Sequence, residues 1–348
     1  MIELIPNSDP LGLPVPASIL LALKVFGFIL HMIFMNLWLA GLPAALLLLH
    51  YRRRAAERLL TAMPFFMAFG INAGIVPLLF MQTLYPQFFY PATILQAWFW
   101  FVVIPLLLIA YYGVYLAAFG RFRFIAALAA SLLLTWIGLT FSAAMSLTAS
   151  PEKWPAIFLS TADAGSVHGI FLHLSMETLL RFLLMVGMAC GTVATFLVLD
   201  AEWFKRDADY RAEIRSLAPL LYAVGLIIFG AAGSAYAPTV LGKLPPAWSY
   251  LAGASMPLGA SLAAAYWRWP RKGIALALGF LHLIVLLSNA IARQIVQFHD
   301  LQKWVDLEKI PVRGEWGSFF LFAATLVLVI GMLTWIVRTV LSHVRSNA

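Results

Sequence analysis

Charged residues are scarce in this chain. They make up 11% of its 348 residues, whereas 63% are hydrophobic and the mean hydropathy is +0.90. So little charge could not cover the surface of a soluble domain, which excludes an ordinary soluble globular protein. The apolar runs are continuous and not ten-residue alternating segments, so they predict membrane-spanning helices and exclude a transmembrane β-barrel.

Cysteine is almost absent as well. The single residue, Cys190, excludes an intrachain disulfide and also the CxxCH attachment of a covalent haem. A redox cofactor in this chain would therefore have to be held non-covalently, by side chains that reach from the helices into the bundle.

The apolar runs predict an all-α integral membrane protein, a nine-helix bundle that forms a single polytopic domain over residues 1–348. No connecting segment is long enough to fold alone. The predicted spans are residues 17–48, 64–86, 95–119, 124–148, 167–199, 216–237, 248–267, 272–297 and 316–340.

The net charge of +8 is distributed unevenly. With the N-terminus outside and the C-terminus in the cytoplasm, fifteen Lys and Arg residues fall on the inner side and six on the outer side. This is the positive-inside pattern, so it predicts that orientation and argues against a nucleic acid as the partner of the basic residues.

The fifth predicted span places ionisable residues in the membrane. If SVHGIFLHLSMETLLRF is helical, His173, Glu177 and Arg181 lie at i, i+4 and i+8 on one face, and the last two can form an ion pair. Such residues in a span mark a ligand, a cofactor or an ion path more often than not. The alternative is a structural polar seam between helices.

Two further stripes carry ionisable residues. In span eight, His282, Asn289 and Arg293 lie at i, i+7 and i+11, and in span one Lys24 and His31 lie at i and i+7. His31 and His282 are both roughly 21–23 Å below the outer ends of their spans, which predicts that they serve one site. The alternatives are that Arg293 reaches the membrane surface and that His282 bonds a neighbouring helix.

The seventh span combines small residues with a methionine. Gly253 and Gly259 allow a flat ligand to approach the backbone, and Met256 lies at the same depth as His173. A His and a Met at equal depth are a candidate axial pair for a low-spin haem b. The alternative is that Met256 only packs in the core.

The order of these features resembles subunit I of the cytochrome bd-type oxidases over nearly the whole chain. Six features carry the resemblance. They are His31 followed by MIFMNLWLAG; the glycine-rich segment FGINAGIVPLLFMQTLYPQF; the segment GLTFSAAMSLTASPEKWP; FLHLSMETLLRFLLMVGMACG, which contains His173; Met256; and ARQ at 292–294, where the family has GRQ. The resemblance implies nine spans, His31 as a ligand of an inner haem, and His173 with Met256 as ligands of the low-spin haem b.

The sequence also departs from the family. Ala290 stands where the family has a Glu before GRQ, Ala254 replaces an arginine, and span three has no acid where the family places glutamates. The outer loop that forms the family's quinol site is reduced to roughly PTVLGKLPPA. His282 is a candidate substitute ligand on the same helix as the missing Glu, and together with His31 it predicts a six-coordinate inner centre that cannot bind O₂.

Together these observations predict a membrane-embedded b-type haem electron-transfer subunit of a respiratory complex in the bacterial inner membrane. We expect two or more b haems, with haem d as an inner-site alternative that no residue supports, and Lys24 and Arg293 as partners of haem propionates. The expected partners are the lipid bilayer, other membrane subunits and a periplasmic cytochrome c or similar carrier, but no nucleic acid. The alternatives are a terminal oxidase fed by cytochrome c or quinol, or a haem-free anchor or ion-conducting subunit that uses Glu177 and Arg181.

Overall fold

A computed structural model describes residue 5 and residues 11–120, 122–169, 174–204, 207–314 and 316–346, apart from the side chains of residues 53, 333, 336, 337 and 340–346. In these ranges the chain is almost entirely helical. The helices are α1 (Ala17–Leu39), α2 (Gly41–Leu48), α3 (Arg53–Leu84), α4 (Pro86–Ile94), α5 (Trp98–Phe101), α6 (Val103–Phe119), α7 (Arg123–Thr148), α8 (Trp154–Thr161), α9 (Met176–Leu199), α10 (Ala208–Val240), α11 (Pro246–Arg268), α12 (Lys272–Leu301) and α13 (Trp316–Ser346).

Seven helical segments of the described chain are long and apolar enough to cross a membrane. They correspond to predicted spans one to six and eight, and α11 and α13 lie where spans seven and nine were predicted. A helix satisfies its own backbone hydrogen bonds, which is the requirement that lipid imposes on a spanning segment. The prediction of an all-α membrane protein is therefore confirmed.

The fifth span begins later than the sequence predicted. Residues 162–167 form a short antiparallel hairpin of β1 (Ala162–Asp163) and β2 (Ser166–Val167). Helix α9 begins at Met176, where the Ser175 hydroxyl accepts a hydrogen bond from the backbone N–H of Thr178. This N-cap satisfies one of the free donors at the helix start, so the helix is 24 residues long instead of the predicted 33-residue span over 167–199.

The side chains that face away from the bundle are apolar. On α6, Ile104, Leu108, Tyr112, Leu116 and Phe119 are all more than half exposed. They recur at intervals of three or four residues, so they form one stripe along the helix. A soluble protein would not expose such a stripe, which is the surface expected of contact with a lipid bilayer.

A second hydrophobic cluster caps the predicted outer end of the bundle. It joins residues from helix ends to residues from α4, α8 and the segment that follows α12, and its buried members include Leu20, Leu84, Phe88, Trp154 and Leu307. The main core lies below this cap, among the long helices. The cap therefore covers the main core at this end of the bundle.

The segment before α1 is tied to the segment before α13. The N–H of Leu13 donates to the carbonyl of Pro311, and the N–H of Arg313 donates to the carbonyl of Leu13, both at 2.9 Å. Gly12 has φ +72°, and a Cβ there would lie 2.1 Å from the carbonyl oxygen of Pro311, so only glycine fits. These two hydrogen bonds thus join parts of the cap that are about 300 residues apart in the sequence.

Helices α9 and α10 cross with their backbones in close contact. A Cβ added at Gly225 would lie 2.5 Å from the carbonyl oxygen of Gly187, and one added at Gly187 would lie 2.7 Å from the carbonyl oxygen of Gly225. Small residues at such crossings are a general device of membrane helix packing.

Replacing Gly225 with alanine should therefore force α9 and α10 apart and destabilise the protein by about 1–3 kcal/mol. Gly230→Ala on the same helix is the matched control, because a Cβ there meets nothing within 4 Å. The measurement is the midpoint of thermal unfolding in detergent. Equal midpoints for the two variants would contradict the close crossing.

Candidate cofactor site

His31 has one ring nitrogen engaged and the other free. Its Nδ1 lies 2.8 Å from the backbone carbonyl oxygen of Gly70 in α3. Because a carbonyl can only accept, Nδ1 carries the proton and Nε2 carries a lone pair. Nε2 makes no hydrogen bond with any described residue. A donor bond from one nitrogen to a backbone carbonyl is the usual way in which a metal-ligating histidine is oriented.

The glycines of α3 make room for this ring. A Cβ added at Gly74 would lie 2.8 Å from both Nδ1 and Cε1 of His31. Gly70 and Gly74 are one helical turn apart, so the imidazole lies against a strip of bare backbone. The glycine-rich second span is thus what admits and orients His31.

Two basic residues line the seam between α1 and α12. The Lys24 ammonium donates to Gln297 Oε1 at 2.6 Å, and the guanidinium of Arg293 stacks over the ring of Phe28 with 4.4 Å from Cζ to the ring centroid. Lys24 and Phe28 are one turn apart on α1, and Arg293 and Gln297 are one turn apart on α12. The two helices run antiparallel here, so Lys24, His31 and Arg293 lie along one seam.

These two cations have no anionic partner among the described residues. Other buried or partly buried charges do, as Arg58 does in its contact with Asp200 at 2.5 Å. No described carboxylate lies within ion-pair distance of Lys24 or Arg293, although Lys24 is only 4% exposed. An uncompensated buried charge is costly, so the seam is suited to an anionic group.

His282 belongs to a different part of the bundle. Its Nε2 lies 2.8 Å from Thr192 Oγ1 in α9, and its Nδ1 lies 2.9 Å from the hydroxyl of Tyr222 in α10. Asn36 donates to the same Thr192 oxygen at 3.0 Å. Both ring nitrogens are therefore engaged, as in the alternative interpretation of a histidine that bonds neighbouring helices.

The hydrogen atoms of this network can be assigned by counting donors. The Thr192 hydroxyl is 3.0 Å from the carbonyl of Met188. If it donates there, His282 Nε2–H donates to Thr192 and Tyr222 O–H donates to Nδ1, so every hydrogen has an acceptor. In the other tautomer the Tyr222 proton has no described acceptor.

His31 and His282 form hydrogen bonds with different helices. Among the described residues, the two rings make no hydrogen bond or ring contact with each other. Equal depth was necessary for a shared site, but the two histidines face different helices. The six-coordinate centre therefore stays a prediction.

Removing one member of the His282 network should destabilise the bundle. Tyr222→Phe leaves the Nδ1 lone pair of His282 unsatisfied in a buried site, at a cost of about 1–3 kcal/mol. Tyr250→Phe, on a tyrosine that is 77% exposed, is the control and should change little. Thermal unfolding in detergent measures both, and a Tyr222→Phe variant as stable as the control would exclude the assigned bond.

The predicted low-spin pair is only partly described. Met256 is fully buried in the main core, whereas His173 lies outside the described residues. Glu177 and Arg181 do form the predicted i, i+4 pair, at 3.8 Å, and Arg181 also contacts the Ser146 hydroxyl. Because His173 lies outside the described residues, its alignment with this pair on one helical face stays a prediction.

The glycines of α11 do not share one environment. A Cβ at Gly259 would lie 1.9 Å from the hydroxyl oxygen of Tyr222, so that position is filled by a tyrosine. A Cβ at Gly253 meets nothing within 4 Å. Gly259 thus allows α11 to pack closely against Tyr222 of α10, whereas Gly253 lies on the exposed face of α11.

No family model and no curated protein matches the sequence. Among solved structures, the structure of bd oxidase from Geobacillus thermodenitrificans superposes with a TM-score of 0.64 and 13% identity, and the match covers 93% of this chain and 98% of that chain. The chain has the fold of a bd oxidase chain. This finding confirms the predicted resemblance at the level of fold.

The ligand atoms that the described side chains offer suit a haem better than a bare metal ion. The described residues contain no group of three or more His, Cys, Asp or Glu side chains that could hold a metal ion. A haem brings its own equatorial nitrogens and needs only an axial ligand and partners for its propionates. His31, with its free Nε2, and the unpaired Lys24 and Arg293 fit those needs.

The sequence interpretation missed the polar groups at the predicted inner end of the bd oxidase fold. Asp200 is 1% exposed and bonds Arg58 and the Tyr210 hydroxyl, and Glu202 accepts from the Tyr266 hydroxyl at 2.8 Å. Both carboxylates lie on a π-helical turn that extends α9. Two acidic residues just past an apolar span could have been noticed in the sequence. Their partners could not, because they come from three other helices.

Proposed function

We propose that this chain is a divergent member of the bd-type oxidase subunit I family and carries electrons through b-type haem in a bacterial cytoplasmic membrane. The observation that carries the proposal is the His31 arrangement, in which Nδ1 is fixed by Gly70 and Nε2 is left as a lone pair. The bd oxidase fold and the unpaired cations of the α1–α12 seam support it. A bound haem supplies reversible one-electron transfer.

Different residues of this chain would hold different parts of the haem. His31 would hold the haem through its Nε2, and Gly70 and Gly74 fix the orientation of the His31 ring. Lys24 and Arg293 offset the negative charge of propionates, and charge-assisted bonds of this kind are stronger than neutral ones.

For the low-spin haem b we propose His173 and Met256 as axial ligands. The family resemblance supports both, and the full burial of Met256 supports a thioether in a water-free site. We propose the predicted orientation, with the N-terminus outside and the C-terminus in the cytoplasm, so that electrons enter from the outer side. A periplasmic cytochrome c or similar carrier and other membrane subunits are the proposed partners.

A terminal oxidase is the second candidate, and one observation favours it. Both ring nitrogens of His282 are engaged by Thr192 and Tyr222, so of these two histidines His31 alone would hold the haem. A haem held by a single protein ligand could bind O₂. Against it, Ala290 stands in place of the family's Glu and α6 carries no carboxylate to supply protons.

The test is a reduced-minus-oxidised absorption spectrum of the purified protein, with the haem content measured per chain. Haem bands at one or more equivalents are expected. A fully folded preparation without haem would exclude both candidates and favour a haem-free anchor or ion-conducting subunit. Steady-state oxygen consumption separates the two haem candidates, and we expect it to be negligible.

A further inference from the structure

A buried polar cluster lies where α1, α3 and α12 meet below the cap. The Lys24 ammonium donates to Gln297 Oε1, and the Tyr85 ring at the end of α3 lies 5.3 Å from that ammonium. The three residues are 4%, 7% and 1% exposed for Lys24, Gln297 and Tyr85, respectively. The amide nitrogen of Gln297 has a sulfur acceptor, Met81, at 3.6 Å.

This cluster has more donors than acceptors. An ammonium has three N–H donors, and the described contacts of Lys24 use one of them. The buried Tyr85 hydroxyl has no hydrogen-bond partner among the described residues. Leaving such groups unpaired is costly, and Lys24 adds an uncompensated charge to that cost. The cluster therefore lacks a group that is anionic and that offers more than one acceptor oxygen.

A carboxylate meets both requirements. Its two oxygens can accept one bond from Lys24 and another from Tyr85, and its charge offsets the ammonium. A neutral carbonyl would satisfy one donor but leave the charge. The hydrophobic cap covers the cluster, since Leu84, Tyr85 and Phe88 all belong to it. A carboxylate that is part of a molecule held inside the bundle is thus favoured over one that enters from water.

We propose that Tyr85 and Gln297, with Lys24, form the binding site of one haem carboxylate, in which the Tyr85 hydroxyl donates directly to a carboxylate oxygen. This inference rests on the proposed function, because the haem is the one on His31. Lys24 and His31 are seven residues apart, which is two turns along the same face of α1. Gln297 holds the ammonium in place from α12.

Tyr85→Phe tests the proposal, because it removes only the hydroxyl. Losing that bond leaves more negative charge on the carboxylate, which favours oxidised iron, so the midpoint potential of one haem should fall. The expected change in the ratio of reduced to oxidised haem at fixed potential is two- to tenfold, and tenfold equals ~59 mV for one electron. Tyr90→Phe, on an exposed tyrosine of α4, is the matched control.

A second variant and a second measurement make the test specific. Lys24→Gln should lower the same potential, and the Tyr85→Phe/Lys24→Gln double variant should show less than the sum of the single effects, since both residues share one carboxylate. The redox infrared difference spectrum should show a shifted carboxylate band in Tyr85→Phe.

The outcomes separate the two levels of the proposal. A folded wild-type protein without haem bands would overturn the proposed function and this inference with it. Haem bands in the wild type, with an unchanged potential and unchanged carboxylate bands in Tyr85→Phe, would overturn the inference alone. A free anion or lipid phosphate in the cluster would give that second outcome.

Discussion

Replacement of His31 with alanine should remove the carbon monoxide-induced change from the absorption spectrum of the reduced protein. Nε2 of His31 has no hydrogen-bond partner among the described residues, whereas both ring nitrogens of His282 are engaged by Thr192 and Tyr222. The wild-type protein should therefore bind carbon monoxide at this haem. The alanine variant should lose one haem equivalent and the spectral change together.

His282→Leu is the matched control for this prediction. It removes a second buried histidine, and with it bonds to Thr192 and Tyr222, but it should leave both the haem content and the carbon monoxide response intact. A wild-type protein with no carbon monoxide response, or a response that disappears in His282→Leu and not in His31→Ala, would restore the six-coordinate centre predicted from depth alone.

The low-spin signal should disappear when either of its proposed ligands is replaced. His173→Ala removes the imidazole, and Met256→Leu removes the thioether sulfur with little change of volume in a fully buried site. Each variant should lose the low-spin bands while the His31 haem persists. Separate spectra of the two variants measure this, and the assignment fails if both retain a full low-spin signal.

The helices could be predicted because a bilayer imposes a simple rule on the sequence. A span needs about 20 apolar residues, and that length is visible in each run. The start of α9 was missed because the apolar residues at 167–172 continue the run, whereas Ser175 caps the helix at Met176. Helix termini depend on local hydrogen bonds that average hydropathy does not register.

The contents of the site were predictable only where one helix decides them. Helical spacing predicted that Lys24 and His31 lie on one face of α1, and in the structure both residues lie along the α1–α12 seam. Spacing also placed His282 on the face of Arg293, yet His282 bonds Thr192 and Tyr222, which are 90 and 60 residues away in the chain. Which neighbour a face meets is a property of the whole bundle.

Tyr85 is a candidate binding residue that the sequence alone does not reveal. It follows the last residue of α3 and carries no charge, so nothing in its local sequence sets it apart from other interfacial aromatics. Only its burial next to Lys24 and its unpaired hydroxyl make it a candidate binding residue. Gln297, one turn beyond Arg293, could have been added by spacing.

The bridge between Leu13 and Val312 has a consequence for biosynthesis. A ribosome synthesises residue 13 at the beginning of translation and residue 312 only after all of α12. The cap over the predicted outer end of the bundle can therefore be closed only as one of the last steps of assembly. Until then the neighbourhood of Lys24 is not fully enclosed, which leaves an interval in which a bulky prosthetic group can enter a site that the finished protein seals.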